Sequence, residues 1–434
     1  MTDSLETRRK TWLDELFQGY EGPPFEVRLW DGWRWDWRPE EAPACTIVVA
    51  DPRALSSLLA TPNELTLGEA FVAGGLDVEG DLFSVFAVVE HLVNRPRRLR
   101  QRIAEKLALA VFGFGQRIRQ GAAHSRRRDR ASIAYHYDQP VDFFAPWLGE
   151  SLVYSCAYFK DAADLLERAQ HQKLDLVCRK LRLKAGEQFL DIGCGWGSLV
   201  MHAARCGAHA HGITLSHEQE ATARRRIEGA GLDHDCTAEL RDYRELEEKV
   251  QSFDKIASVG MFEHVGLKNL PRYFGIAYRL LKPGGLFLNH AIARSQTAPV
   301  HEDSFVERYV FPDGRLVTLT ETLSAAQSQG FEVRDVENLR EHYELTLRQW
   351  VAGLKACRDE LLKLVPEKTY RIWLLYMAGS AAAFRRGDIA VYQTLLSRPD
   401  HGQSGVPLTR ADLYAEELAN GAQSAQSVGH LTAA

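Results

Sequence analysis

The chain has 434 residues, 53 basic and 58 acidic, for a formal charge of −5, with 45% hydrophobic and 26% charged side chains. This composition excludes long disorder, and the length predicts at least two domains, because single cores stop growing near about 250–300 residues. Its longest apolar run, Leu107 to Phe114, is far short of the ~20 residues of a membrane span, and MTDSLETRRKTW holds no apolar signal core, so a soluble, cytoplasmic protein is expected. Seven cysteines (45, 156, 178, 194, 206, 236, 357) form no CxxC pair, so neither a disulfide framework nor a metal site is expected.

Charge is unevenly spread. Residues 1–90 hold 17 acidic against 7 basic side chains, and 1–94 read as a small α+β accessory domain for lipid binding or dimerisation. Trp30, Trp33, Trp35 and Trp37 alternate at period two, which predicts a half-buried strand, with core packing favoured over a lipid-contacting face. Residues 95–131 form a basic amphipathic helix and linker: between 95 and 130, 12 basic residues face only Glu105 and Asp129. Leu99, Ile103, Leu107, Val111, Phe114 and Ile118 recur there every three or four residues, a pattern that suits an anionic membrane surface or a protein better than nucleic acid. A solvated linker is the plainer account, and the arginine cluster Arg126, Arg127, Arg128, Arg130 is the part that would meet lipid head groups.

Residues 132–398 make one larger domain. Short β-rich runs at 188–192, 209–214, 255–259 and 286–290 alternate with helical stretches, which predicts a parallel sheet covered by helices on both faces. Beyond 295 the chain reads as mostly helical, and 399–434 as a tail that frays.

The strongest local signal is Asp191-Ile-Gly193-Cys-Gly195-Trp-Gly197, a glycine-rich turn between a strand and a helix. Its spacing departs from Gly-x-Gly-x-x-Gly, and a carboxylate before the first glycine would repel a pyrophosphate while attracting a cationic amino acid. Together with Lys282-Pro-Gly-Gly285 before an apolar strand, this favours S-adenosylmethionine over a nicotinamide dinucleotide. The second strand ends Gly212-Ile-Thr-Leu-Ser216 with no acid for the ribose hydroxyls, leaving Gln219 as the substitute.

The strings His136-Tyr-Asp138, Tyr154-Ser-Cys156-Ala-Tyr-Phe159, Asp191 to Gly197, Thr214-Leu-Ser-x-x-Gln219, Val259 to Gly266 and His290-Ala-Ile292 resemble the cyclopropane-fatty-acyl-phospholipid synthases and the related mycolic acid cyclopropane synthases. The resemblance implies a Rossmann-like class I methyltransferase sheet with helical insertions. It implies transfer of a methylene group from S-adenosylmethionine to the cis double bond of unsaturated phospholipid acyl chains, on the inner face of the membrane. It also implies a bound bicarbonate as base, held by Cys156, Glu263, His290, Ile292 through its backbone, and Tyr343. Cofactor contacts carried over in the same way are Tyr154, Ser155, Gly193, Gly195, Thr214, Leu215, Gln219, Tyr243 and Arg244. Aromatic faces at Tyr343 and Phe262 could steady a developing cation. Two alternatives stay open: an enzyme that makes a methyl or methylene branch, and a catalytically silent lipid-binding homologue.

Overall fold

A computed structural model describes residues 2–51, 63–94, 140–246, 248, 250–298, 304–311 and 316–413. The basic segment 95–131 and the string His136-Tyr-Asp138 therefore lie outside the described residues. These fall into two compact units, one of 1–148, 295–315 and 340–389, the other of 149–294, 316–339 and 390–434. The expected segment 132–398 contributes to both. Among the described residues, no helix is long and apolar enough to cross a membrane.

The first unit contains a four-stranded sheet of β1 (Phe25–Leu29), β2 (Arg34–Trp37), β3 (Cys45–Val49) and β4 (Leu76–Gly80), in the order β2-β1-β3-β4. The tryptophan run does not form one strand. Leu29 and Trp33 close a tight turn through Gly32, whose φ is +83°, so Trp30 is exposed and only Trp35 enters the core. Trp35 stacks on Phe17 at 5.6 Å, and its indole N–H donates to Asp14 at 2.9 Å. The glycine reverses the chain where period-two alternation alone would continue the strand. The same unit holds the helices Val141–Leu148, Arg340–Ala356 and Glu367–Arg386, whose Trp147, Trp350 and Trp373 pack together.

The second unit is built on a seven-stranded sheet. Its strands are β5 (Gln188–Ile192), β6 (His209–Thr214), β7 (Cys236–Leu240), β8 (Phe253–Val259), β9 (Leu281–Arg294), β10 (Glu332–Asn338) and β11 (Ile389–Ser397). The order is β10-β11-β9-β8-β5-β6-β7, and the β5–β6, β6–β7, β5–β8 and β8–β9 pairs are parallel. The four predicted strands are all present. β7 was not predicted, and β10 and β11, antiparallel to one another, interrupt the segment expected to be mostly helical. Strand order reverses between β5 and β8, so the crevice at their carboxyl ends is where an open α/β sheet takes its ligand.

Candidate active site

The glycine run occupies that crevice. Gly193, Gly195 and Gly197 have φ of +90°, +54° and +87°, conformations that side chains with a Cβ resist. The N–H groups of Gly193 and Cys194 both donate to the Ile213 carbonyl at 2.9 Å, tying the loop to β6. A Cβ on Gly193 would lie 2.7 Å from that of Met261, whereas one on Gly195 would meet no described residue within 4 Å. Among the described residues the loop is thus packed on one side and open on the other.

Asp191 lies near the end of β5, buried, with Oδ1 lacking any partner among the described residues. Burial pushes its carboxyl up to about 7, partly offset by the charge of Lys173. Lys173 is itself buried, which brings its ammonium down to about 8, and donates to the Ser155 hydroxyl at 2.9 Å. The Thr214 hydroxyl donates to Gln219 Oε1 at 2.7 Å, and Ser216 caps the helix His217–Gly229 by accepting the Gln219 N–H. Gln219 can therefore offer a ribose an amide N–H, and Leu215 lies half-buried between Thr214 and the cap. Beyond β7, Tyr243 is buried edge-on to Tyr273, with ring centres 5.5 Å apart. Arg244 is committed to Asp242, Nε to Oδ1 at 2.8 Å and Nη2 to Oδ2 at 2.6 Å. An open glycine loop, an orphaned buried acid and an amide donor fit a ligand with a cationic amino-acid end and ribose hydroxyls.

The second half of the site is set by β8 and β9. Val259 lies opposite His290, and the Gly260 N–H donates to the His290 carbonyl at 3.0 Å. One 3-10 turn later, Glu263 accepts the Ile292 N–H on Oε1 at 2.7 Å. Its Oε2 is buried without a partner among the described residues, and burial pushes the carboxyl up to about 7. The Ile292 amide is thus engaged in orienting Glu263. His290 is also buried, which drives its pKa well below the usual value and keeps it neutral. Gln393 of β11 places its amide nitrogen 3.2 Å from His290 Nδ1. With that nitrogen donating, Nδ1 accepts and the imidazole proton sits on Nε2, which is buried with no partner among the described residues.

Other expected residues are placed differently. Cys156 is fully buried and aims its thiol at the carbonyls of Ala157 (3.2 Å) and Leu339 (3.8 Å). Tyr343 belongs to the first unit, on the helix Arg340–Ala356, where its ring lies 4.6 Å from that of Phe384. Phe262 is a core residue: its ring packs on Tyr273 and Phe274 at 5.5 and 5.8 Å. Sequence reading missed three participants. Lys173 sits in a charge-rich helix that reads as surface, and Gln393 lies 103 residues from the histidine it orients. Asp242 lies two residues past β7, a strand that the sequence reading also missed.

Because Gln393 sets the tautomer, Gln393→Leu should lower turnover by about 10- to 100-fold, the usual cost of losing an orienting partner. Cofactor affinity, measured by calorimetry, should stay unchanged. An unaltered rate, or a parallel loss of cofactor binding, would refute this role.

Residues 124–394 match the family described as mycolic acid cyclopropane synthetase, and residues 12–96 match a domain of unknown function, DUF7884. The chain belongs to the mycolic acid cyclopropane synthetase family. This synthetase-family chain is 40% identical over 398 residues to a probable fatty acid methyltransferase of Pseudomonas putida, covering 90% of this chain and 96% of that one. It is also 40% identical over 264 residues to the cyclopropane-fatty-acyl-phospholipid synthase of Escherichia coli K12, covering 61% of this chain and 66% of the other. Among solved structures it is similar to mycolic acid cyclopropane synthase CmaA1 complexed with SAH and CTAB. That similarity has a TM-score of 0.58 at 32% identity, over 62% of this chain and 97% of that one. The sheet is that of the class I methyltransferases, and the protein is an enzyme, an S-adenosylmethionine-dependent methyltransferase of the synthetase family.

Proposed function

We propose that this enzyme closes cyclopropane rings on cis double bonds of unsaturated phospholipid acyl chains, with bicarbonate as the base. The observation that carries the reading is the pair of buried polar atoms without a partner among the described residues, Glu263 Oε2 on the 3-10 turn after β8 and His290 Nε2 on β9, beside the cofactor crevice. When bound, S-adenosylmethionine would supply an electrophilic methyl to the alkene, and a bicarbonate held beside Glu263 and His290 would supply the base that takes a proton from that methyl for ring closure. Glu263 and His290 would hold the bicarbonate.

The chain's own groups suit that task. His290 donates from Nε2 because Gln393 occupies Nδ1. Glu263, pushed up to about 7, can present a neutral carboxyl that donates to an anion where an ionised one would repel it. His290 is fully buried and Glu263 Oε2 is enclosed, which keeps out water that would trap a carbocation. A second reading, branch formation, is favoured by one observation: the likeness to the probable fatty acid methyltransferase runs over nearly the whole chain, that to the cyclopropane synthase over 61% of it.

Lipids from a host rich in cis-monounsaturated phospholipids and expressing the enzyme should decide. A gain of CH₂ with resistance to mild hydrogenation supports ring closure. The same gain in a chain that takes up hydrogen indicates a methylene branch, and a gain of CH₄ a methyl branch. Either of those excludes the proposal.

A further inference from the structure

We propose that the protein carries a zinc site, remote in function from the methyl-transfer chemistry, formed by Cys178, His202 and Cys206. Their ligand atoms all lie within 4.8 Å of one another. Cys178 is on the helix Leu166–Leu181 that precedes β5. His202 is on Ser198–Arg205, the helix that follows the glycine loop, and Cys206 is its C-cap residue. His202 and Cys206 are four apart, so one helical face presents both. Tetrahedral zinc, with bonds of about 2.0–2.3 Å, sets its donors roughly 3.3–3.8 Å apart. Side-chain shifts of about an ångström would therefore close the cluster.

The donors have the required character. The His202 Nε2 is buried with no hydrogen-bond partner among the described residues. The Cys178 and Cys206 thiols face one another closely enough to hydrogen-bond. Two sulfurs and an imidazole select zinc over magnesium or calcium, which prefer oxygen. Cys178 is buried while Cys206 is exposed, which leaves one side open for the ion and for a fourth ligand. Asp175, one turn before Cys178, acts electrostatically on all three residues and is half-exposed in a pair with Arg179. It favours a dication and can supply the fourth donor. Arg205, Lys173 and His171 also face His202 and oppose a cation, so the two thiolates must carry the binding. The ion would clip the helix before β5 to the helix after the glycine loop. That is a structural role, independent of whether the acyl product is a ring or a branch.

The test uses the full chain, metal-stripped and held reduced with a phosphine. Cobalt(II) titration should give tetrahedral d–d bands and a thiolate-to-cobalt charge-transfer band saturating at one equivalent, reversed by zinc. Zinc should raise the wild-type melting temperature. Cys206→Ser, at an exposed position, should lose zinc affinity by at least about 100-fold, beyond what loss of an outer partner costs. His202→Gln should behave alike. Absence of the charge-transfer band in the reduced protein, or equal zinc affinity in wild type and Cys206→Ser, would overturn the proposal.

Discussion

Glu263→Gln is expected to lower turnover by at least about 10³-fold, in the range attributed to a lost acid–base group, while cofactor affinity stays within about twofold of wild type. Gln keeps the shape and still accepts the Ile292 N–H through its carbonyl oxygen. What it loses is the ability to gain and release a proton at Oε2, which has no partner among the described residues. The substitution should also stabilise the fold. Burial raises the Glu263 carboxyl from 4.5 to about 7, so its contribution to stability is fully present below the lower value and is lost as pH rises through the upper one. At about 1.4 kcal/mol per pKa unit, the native state carries a penalty on the order of 3 kcal/mol near pH 8. Gln has no such penalty. Urea unfolding should therefore show the variant more stable than wild type near pH ~8, with the difference fading toward pH ~4. Equal stabilities at both ends would mean that Glu263 is not held neutral, and lost cofactor binding would mean that it belongs to the donor pocket.

Gly193→Ala should give the converse phenotype. At φ +90° an alanine is strained, and its Cβ would sit 2.7 Å from Met261 Cβ, where something must move. Backbone strain of about 1–2 kcal/mol adds to an overpacking cost of about 1–3 kcal/mol. The loop would then shift from the Ile213 carbonyl that holds two of its N–H groups. Cofactor affinity should drop by more than about 100-fold, the equivalent of roughly 3 kcal/mol. Gly195→Ala is the control for fold damage, since its φ of +54° lies in the left-handed region and its Cβ would meet no protein atom. It should fold normally and lose affinity only through crowding of the ligand. If Gly193→Ala binds S-adenosylmethionine within about tenfold of wild type in calorimetry, the loop is not the donor site.

Local chemistry determined much of this protein. A strand followed by an acid and three spaced glycines requires a left-handed turn whatever surrounds it. The four predicted strands form because their apolar runs suit burial on both faces of a parallel sheet. Glu263 was legible for a similar reason, standing just past a strand whose carboxyl end opens on the crevice. Where the same local reasoning was applied to the tryptophan run it failed, because Gly32 reverses the chain between Trp30 and Trp33.

Tertiary structure decided the rest. β10, with sequence Glu-Val-Arg-Asp-Val-Glu-Asn, has no apolar alternation and is half-buried along most of its length. It becomes a strand by pairing with β11, more than fifty residues later. That pairing places β11 beside β9, and so brings Gln393 to His290, where one amide settles which nitrogen holds a proton. Lys173 reads as a solvated helix residue until its helix packs on the sheet and removes it from water. His202 and Cys206 are four apart on one helix, but Cys178 reaches them only across the helices that flank β5. Period and propensity act within a few residues, whereas hydrogen bonds, proton affinities and ligand clusters depend on which distant strands and helices become neighbours.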